Sequence, residues 1–263
     1  MEKILISIIN IINIIRDFTN WPLVILNYLH IRKAVTLKHR NGLHFFCHNR
    51  AHSKIIQEMF QGMIYNKHLI DQIGQTLHKK TIIDIGAHVG SFSFWFDFHC
   101  PGNTFYLYEP DKNTFDILQK NVWLNYKKKF HIFNICVAYK SGIVTFYSTS
   151  SKGQTQSSSI LHRSANEDKY SINAKTLIDI ITENKITQVD LVKMDCEGAE
   201  FDIILQAPTR LWAIVKAILF EYHDDISGKS HEQLVKSLKP FYNTIVVHPA
   251  RYNKFRGTIF AKN

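Results

Sequence analysis

Two glycines mark the first stretch of this sequence whose residue types could do chemistry. The run Asp84-Ile-Gly-Ala-His-Val-Gly90 ends a short apolar segment, and a glycine there lets the backbone turn sharply and approach a ligand closely. Ligands of open α/β sheets bind at the carboxyl ends of the strands, where this turn would lie. The turn therefore predicts a ligand site, although a tight strand-to-helix turn without a ligand would give the same pattern.

An acidic residue follows the next apolar segment. Glu109 precedes Pro110, and its distance in sequence from Asp84 fits the roughly 20 residues expected between such a turn and a ribose-binding acid. A carboxylate there can accept hydrogen bonds from both hydroxyls of an adenosine ribose. His88 occupies the position at which a dinucleotide fingerprint requires its second glycine for the pyrophosphate. The pattern therefore favours an adenosine cofactor that has no pyrophosphate.

A third group of polar residues follows a later apolar segment. The block Lys193-Met-Asp-Cys-Glu-Gly-Ala-Glu200 places Asp195 and Glu197 at the end of a predicted strand, and His223 follows the next one. The turn and Glu109 suit S-adenosylmethionine as well as nicotinamide cofactors, and only the first has no pyrophosphate. Methyl transfer from its sulfonium is an in-line displacement, for which a protein mainly supplies alignment and removal of a hydroxyl proton. Asp195, Glu197 or His223 could remove that proton, and the clustered acids could also hold a divalent ion such as Mg²⁺. Glu200 could be only a helix N-terminal acid, and Lys193 could pair with an acid.

The elements that must position these residues alternate along the chain. Short apolar runs alternate with helical patterns from Thr81 onward, which predicts a doubly wound, mostly parallel α/β sheet with helices on both faces. The stretch from Ser148 to Tyr170 interrupts this alternation and predicts a long loop or lid. Predicted strands are 81–86, 104–109, 130–139, 143–148, 189–195, 215–221, 244–247 and 258–261, and predicted helices are 91–99 with a serine cap, 111–125 with Asp111 as cap, 174–184 and 231–241.

Residues 1–80 lack this alternation and predict an N-terminal extension, an amphipathic helix plus short strands, before a domain over residues 81–263. Five polar residues share one stripe of that helix because they recur every three or four positions. The isoleucine-rich face within residues 4–20 must then be covered, and we expect it to pack against the domain, with self-association or peripheral membrane contact as the alternatives. The stripe consists of Ser7, Asn10, Asn13, Asp17 and Asn20.

Composition narrows the class of protein and its compartment. The formal net charge of +10 suits an anionic partner, but the lysines are scattered, which favours a generally basic surface. The four cysteines have no paired spacing and predict buried, reduced thiols, hence a cytoplasmic protein that could be peripheral to a membrane.

Together these motifs resemble the FkbM family of S-adenosylmethionine-dependent methyltransferases. The resemblance covers about Thr81 to Asp224 and includes the serine patch Ser157-Ser-Ser159. The block from Lys193 to Glu200 is its most specific part. The other matching motifs are Asp84–Gly90, Tyr108-Glu-Pro110, Val189–Asp195 and Phe220-Glu-Tyr-His223.

The resemblance implies a class I (Rossmann-like) methyltransferase fold with S-adenosyl-L-methionine as cofactor. Asp84, Gly86 and Gly90 would line its methionine portion and Glu109 would bind its ribose. His88 replaces the asparagine common in the family, although its backbone can still contact the cofactor. The expected cofactor site is Asp84, Gly86, Ala87, His88, Gly90, Glu109 and Pro110, and the residues expected to face the acceptor are Asp195, Glu197, Glu221 and His223, of which Asp195 and Glu197 could hold a metal.

The leading functional hypothesis is O-methylation of a hydroxyl on a glycan, a lipid-linked sugar or a secondary metabolite. RNA methylation is a second hypothesis, supported by the positive charge, but no basic stripe interleaved with aromatic residues accompanies it. A third is a non-catalytic domain that binds an adenosine cofactor. Retention of acids on both the cofactor and the acceptor side argues against this third hypothesis.

Overall fold

The computed structural model describes residues 2–62, 64–65, 79–148, 159–161, 168–250 and 253–263. Helices and strands alternate through most of these residues. The helices are α1 Glu2–Asp17, α2 Trp21–Tyr28, α3 Arg50–Phe60, α4 Ser91–His99, α5 Lys112–Leu124, α6 Leu177–Glu183, α7 Glu200–Leu205, α8 Thr209–Trp212, α9 Asp224–Ser227 and α10 His231–Leu238. The strands are β1 Val35–Lys38, β2 His44–Cys47, β3 Thr81–Ile85, β4 Thr104–Tyr108, β5 Phe130–Phe133, β6 Cys136–Val137, β7 Gly142–Ser148, β8 Asp168–Lys175, β9 Leu191–Met194, β10 Ala217–His223, β11 Thr244–Ala250 and β12 Asn253–Lys262.

The central sheet has seven strands in the order β11-β12-β10-β9-β3-β4-β5. Neighbouring strands from β5 to β10 pair in parallel, whereas β12 runs antiparallel to both β10 and β11. The chain winds outward from β3 through β4 to β5 and then returns to β9 on the other side of β3. The predicted doubly wound, mostly parallel sheet is confirmed, and the β3–β9 junction is its topological switch point.

Local signals set most helix ends. The Asp111 carboxylate accepts from the backbone N–H of Thr114, so the predicted cap of α5 is confirmed. The predicted serine cap of α4 is wrong, because Gly90, at φ +89°, is the cap and Ser91 is the first helical residue. The predicted helix from position 174 is also wrong at its start. Thr176 forms a capping box with Asp179 and begins α6 at Leu177.

A small second sheet lies beside the main one, in the order β6-β8-β7. Its strands β7 and β8 pair antiparallel from Gly142 opposite Ala174 to Ser148 opposite Asp168. The loop predicted from Ser148 to Tyr170 is therefore shorter than expected, because residues 168–170 belong to β8. Most of that loop, residues 149–158 and 162–167, lies outside the described residues.

The N-terminal extension shares a hydrophobic core with the sheet. Phe45 of β2 lies edge-on to Phe94 of α4 with ring centroids 5.3 Å apart, and both are fully buried. The side chains of Asn121 in α5 and of Asn125, which follows it, accept from backbone N–H groups of β2, with an N···O distance of 2.7 Å at Phe46. These contacts fix the position of α3, which follows β2 and forms one wall of the site.

Helix α1 departs from expectation. Ile14 and Phe18 are buried, but Ile8, Ile12 and Ile15 are 49%, 57% and 41% exposed. The expectation that the isoleucine-rich face packs against the domain is therefore wrong for this face. No helix in the described part of the chain is long and apolar enough to span a bilayer.

The cysteines agree with the sequence analysis. Cys47, Cys100 and Cys136 are buried, Cys196 is partly buried, and all four are free thiols. Burial raises the pKa of the Cys47 and Cys196 thiols, so they stay protonated at neutral pH.

Candidate active site

The ends of β3 and β9 meet at Gly86 and Asp195. The Asp195 N–H donates to the Ile85 carbonyl at 3.0 Å, and Gly86 follows at φ +72°. A Cβ at position 86 would lie 2.0 Å from the Asp195 carbonyl oxygen. Glycine is therefore required there by the approach of the neighbouring strand end and by the positive φ, in addition to any approach of a ligand.

An ion pair lies behind this junction. Asp84 is fully buried, accepts from the Ser93 hydroxyl at 2.6 Å and lies 3.3 Å from the Lys193 ammonium. Lys193 also donates to the Gly86 carbonyl at 3.1 Å. Burial alone would lower the pKa of Lys193, but the carboxylates around it raise the pKa above its usual value. Asp84 is thus a partner of Lys193 behind the cavity wall, and the predicted pairing of Lys193 with an acid is confirmed.

Glu109 forms one end of the candidate site. Its carboxyl accepts from the backbone N–H of His88 at 2.8 Å and from that of Asp111 at 2.9 Å. Only 6% of its surface is exposed, and burial together with nearby Asp111 raises its pKa to about 8. Backbone N–H groups therefore orient this carboxyl. Among the described residues, no cation lies within hydrogen-bonding distance of it to stabilise the charged form.

The turn after β3 supplies the backbone around Glu109. The N–H groups of Gly86 and Ala87 both donate to the Tyr108 carbonyl at 3.0 Å, which ties the turn to the end of β4. His88 adopts a left-handed φ of +52°, and its ring lies 5.2 Å from that of His52. Burial lowers the pKa of His88 to about 3, so its imidazole is neutral at neutral pH.

A cavity of about 380 Å³ runs between the ends of these strands. Such a volume suits a small ligand. Apolar side chains from α3, its following turn and α4 line one side, including Met59, Tyr65 and Phe92. Seven predicted site residues line the cavity, namely Gly86, His88, Glu109, Pro110, Asp195, Glu197 and Glu221, whereas Asp84, Ala87, Gly90 and His223 do not.

The last of these residues, His223, lies just behind the acids. Its Nδ1 is 2.8 Å from an oxygen of Glu200, and its Nε2 is 3.7 Å from an oxygen of Glu197. Burial alone would lower the pKa of His223, but the hydrogen bond to Glu200 and the surrounding carboxylates raise it to about 9. Glu200, which is fully buried at the start of α7, also accepts from the Gly198 N–H at 2.8 Å. It is therefore the group that orients His223 as well as a helix N-terminal acid.

The same residues could hold a metal ion. One donor atom from each of Asp195, Glu197 and His223 lies within 4.8 Å of the other two. Nδ1 of His223 is engaged by Glu200, so Nε2 is the ring nitrogen that faces the two acids. Carboxylate and imidazole donors with a carboxylate behind the histidine fit a divalent cation whose binding displaces the proton that His223 holds at neutral pH.

Sequence analysis missed Tyr65 and gave no role in the site to Ser159 or Glu200. Tyr65 follows α3, is 2% exposed, and donates to Glu221 at 3.4 Å. Burial, with Asp195 next in effect, raises the pKa of Glu221. Ser159 donates to the Glu197 carbonyl at 3.1 Å. No spacing rule marks Tyr65, and Glu200 was left ambiguous, but Ser159 belongs to the serine patch of the family resemblance.

The sheet order, with one reversed strand and a cavity at the switch point, is the class I methyltransferase fold. The chain belongs to the FkbM methyltransferase family, because the methyltransferase FkbM domain matches its residues 84–242. The family resemblance drawn from the motifs is thereby confirmed.

The similarity of this chain to individual proteins is lower than its match to the family as a whole. Methyltransferase 1 of Beauveria bassiana (strain ARSEF 2860) is 24% identical over 166 residues, which cover 54% of this chain and 64% of that protein. Precorrin-6y C5,15-methyltransferase from Geobacter metallireducens GS-15 is 12% identical with a TM-score of 0.43, over 75% of this chain and 88% of the other. The N-terminal domain of human METTL16 in complex with SAH is 14% identical with a TM-score of 0.46, over 74% and 67%.

Proposed function

We propose that the protein is an S-adenosyl-L-methionine-dependent O-methyltransferase acting on a hydroxyl of a glycan, a lipid-linked sugar or a secondary metabolite. This proposal rests on one observation, a cavity that has acidic residues at both ends, held by different groups at each end. Glu109 at one end is oriented by two backbone N–H groups, and Asp195 and Glu197 at the other end lie beside His223.

The Glu109 end suits the ribose of the cofactor. Each carboxylate oxygen accepts one backbone hydrogen bond and keeps capacity for a second, as two neighbouring hydroxyls require. Gly86, His88 and Pro110 border the same end of the cavity. We assign Asp84, Ala87 and Gly90 to the support of this turn, because they do not line the cavity.

The Asp195 end suits an acceptor hydroxyl. S-adenosyl-L-methionine supplies a sulfonium methyl group when bound. The acceptor oxygen would form the new bond to the methyl carbon as the carbon–sulfur bond broke and its electron pair returned to sulfur. Asp195 takes the hydroxyl proton or orients the hydroxyl, and Glu197, held by His223, borders the same space. Glu221 is the remaining acceptor-side acid.

A metal ion is a refinement of this proposal. Asp195, Glu197 and His223 would hold a divalent cation such as Mg²⁺, which would bind the acceptor oxygen and favour its ionisation.

RNA is the less favoured acceptor. Glu58, Asp195 and Glu197 line the cavity, and Lys193 is the lysine among its described lining residues. Acids in this number repel a phosphate backbone near the methyl group, even though the formal net charge of the chain is +10. We therefore propose a neutral, polyhydroxylated acceptor. We also propose a cytoplasmic location, which the four free cysteines support.

A labelling experiment tests the proposal. Purified protein is incubated with S-adenosyl-L-methionine carrying a labelled methyl group and with pools of glycans, lipid-linked sugars, small metabolites or RNA. Label that enters a hydroxyl pool and withstands mild base, as an ether does, is expected, and Asp195→Asn should abolish it. The control is Asp116→Asn, which alters an exposed acid that pairs with Lys112 and does not line the cavity. Label entering RNA alone would contradict the proposed acceptor class.

A further inference from the structure

Helix α1 turns polar side chains toward the protein and exposes several isoleucines to solvent. Its polar stripe turns toward the protein. The Asn10 amide donates to the Tyr28 hydroxyl at 3.4 Å, Gln61 donates to Asp17 at 3.4 Å, and the Asn20 amide donates to the Thr36 carbonyl at 2.8 Å. An ordinary surface helix places its apolar side inward. The opposite arrangement leaves α1 with an apolar side that points away from the protein.

That side carries four isoleucines, which we call the isoleucine face. Ile8, Ile9, Ile12 and Ile15 are 49%, 48%, 57% and 41% exposed, and at 100° per residue they occupy one side of the helix. Single exposed apolar residues are ordinary on protein surfaces, but a contiguous set indicates an interaction site.

The neighbouring helix α2 and its end extend this character. Leu23, Leu26 and Leu29 recur every three residues and are 39%, 36% and 51% exposed, and Ile31 is 71% exposed. We call these four residues the leucine row. Leu23 and Leu26 belong to α2, which packs on the protein through buried Val24 and Asn27, and the other two residues follow it. Two adjacent helices therefore both present apolar side chains to the outside.

Basic residues border both groups. Arg16 and Arg40 lie at the Ile15 end of α1, since the Arg40 guanidinium donates to the Ile15 carbonyl at 3.3 Å. Arg32 and Lys33 directly follow Ile31 and are exposed. We call these four residues the basic rim. From position 7 to position 40 the chain has five basic residues and one acidic residue, Asp17.

We propose that the isoleucine face and the leucine row dock onto an anionic lipid membrane surface, with the basic rim against its headgroups. Apolar side chains enter the boundary between headgroups and acyl chains, and basic residues beside them are drawn to negatively charged lipids. The apolar side chains lie on α1 and α2 or directly after α2, and the basic rim lies beside them at Arg16 and Arg40 and after Ile31. The same extension also contributes Ile55, Glu58 and Met59 of α3 to the lining of the site cavity.

A second copy of the chain fits this surface less well. A twofold interface would bring the basic rim close to its own copy, since such an interface uses the same patch twice. The nearby acid that could compensate, Asp17, is already bound by Arg16 at 2.6 Å. Anionic lipid provides negative charge that a second copy lacks.

Vesicle cosedimentation of the full chain tests the proposal, with phosphatidylcholine vesicles that contain or lack phosphatidylserine. We expect binding only to the anionic vesicles. Ile8→Ser combined with Ile12→Ser should weaken it about 100-fold, because two apolar side chains leave the lipid. Ile143→Ser is the matched control, since Ile143 is 75% exposed on β7 and should not affect binding.

Charge reversal provides a second comparison. Arg32→Glu combined with Lys33→Glu should weaken binding to anionic vesicles by about 100-fold or more, whereas Lys140→Glu combined with Lys185→Glu, which changes the net charge equally, should have a much smaller effect. Equal binding to both kinds of vesicle would overturn the role of the basic rim. Absence of vesicle binding would overturn the proposal, and a dimer that the isoleucine variant dissociates would assign the surface to a second copy. The measurement needs no cofactor, so its outcome is independent of the proposed reaction.

Discussion

The two ends of the cavity are built differently. At the Glu109 end, the carboxyl is held by backbone N–H groups of His88 and Asp111, both within about one turn of a strand end. At the Asp195 end, side chains hold side chains. Glu200 of α7 orients His223 of β10, which lies beside Glu197 after β9. The first end depends on local backbone geometry, and the second on the packing of distant elements.

This difference predicts separate losses of function. Changes at the acceptor end should reduce turnover and spare cofactor affinity, and changes at Glu109 should do the reverse. Gly86 touches both ends, because it begins the turn beside Glu109 and lies against the Asp195 carbonyl.

The largest expected effect is that of Asp195→Asn. We expect turnover to fall by roughly 10²- to 10⁴-fold, the range for loss of a general base, while the Kd of the cofactor stays unchanged. Asp202→Asn is a suitable control, because Asp202 binds Lys229 and does not line the cavity. A variant that turns over at the native rate would show that Glu197, Glu221 or His223 serves the acceptor instead.

Removal of metal ions by a chelator distinguishes a metal-binding role of Asp195, Glu197 and His223 from a direct role of the Asp195 carboxylate. If Asp195, Glu197 and His223 hold a cation, EDTA should abolish turnover and Mg²⁺ should restore it, whereas Asp195→Asn should lower the affinity for Mg²⁺ measured by calorimetry. Full activity after exhaustive chelation would leave a direct carboxylate role and exclude the metal refinement.

Gly86→Ala should cause the next largest effect, on stability. The positive φ costs about 1–2 kcal/mol, and overpacking against the Asp195 carbonyl adds about 1–3 kcal/mol. Gly228→Ala is closely matched, since Gly228 has φ +66° but nothing within 4 Å of an added Cβ. Urea denaturation should show a clearly larger loss in the free energy of unfolding for Gly86→Ala. Equal losses would mean that the strand ends separate easily and that the two ends of the cavity are not rigidly joined.

Glu109→Gln should weaken cofactor affinity by roughly 1.5–3 kcal/mol, the value of hydrogen bonds to a charged group. The amide keeps one acceptor oxygen but places an N–H₂ where a backbone N–H now donates. Calorimetry measures the loss, with Asp116→Asn as the control for an exposed acid that does not line the cavity. Unchanged affinity in a folded variant would remove the ribose from this end.

What the sequence could reveal follows the same division. Thr81–Ile85, Ser91–His99 and the Asp111 cap were predicted closely, because apolar period, a following glycine and capping chemistry are local. Glu109 was placed at a strand end by the same rules. The Asn125 side chain fixes His44 of β2 from 81 residues away, and no local pattern reveals such a contact.

The acceptor end was only partly predictable. Asp195 and Glu197 were identified because acids at strand ends of one sheet meet at one edge, whereas Glu221 was identified only through the family resemblance. The bond from His223 to Glu200 depends on where α7 packs against β10, and Tyr65 enters from the N-terminal extension. The prediction that the isoleucine face packs against the domain was wrong. It assumed that apolar residues point inward, whereas α1 turns its hydrogen-bonding residues to the protein.

The smallest expected effect is a pH dependence that belongs to the Glu109 end alone. In the cofactor-free protein burial raises the pKa of Glu109 to about 8, so the carboxyl is mostly protonated at pH 7. Two ribose hydroxyls would donate to the carboxylate and lower its pKa in the complex, so that binding releases a proton. Affinity should therefore rise about tenfold per pH unit below pH 8 and level off above it. Calorimetry in buffers of different ionisation enthalpy should report release of about 0.9 proton at pH 7 and about 0.1 at pH 9. Glu109→Gln should abolish the release, whereas Asp195→Asn should preserve it, because Asp195 belongs to the other end. Proton uptake, or release that persists in Glu109→Gln, would show that another group titrates and that the two ends are not independent.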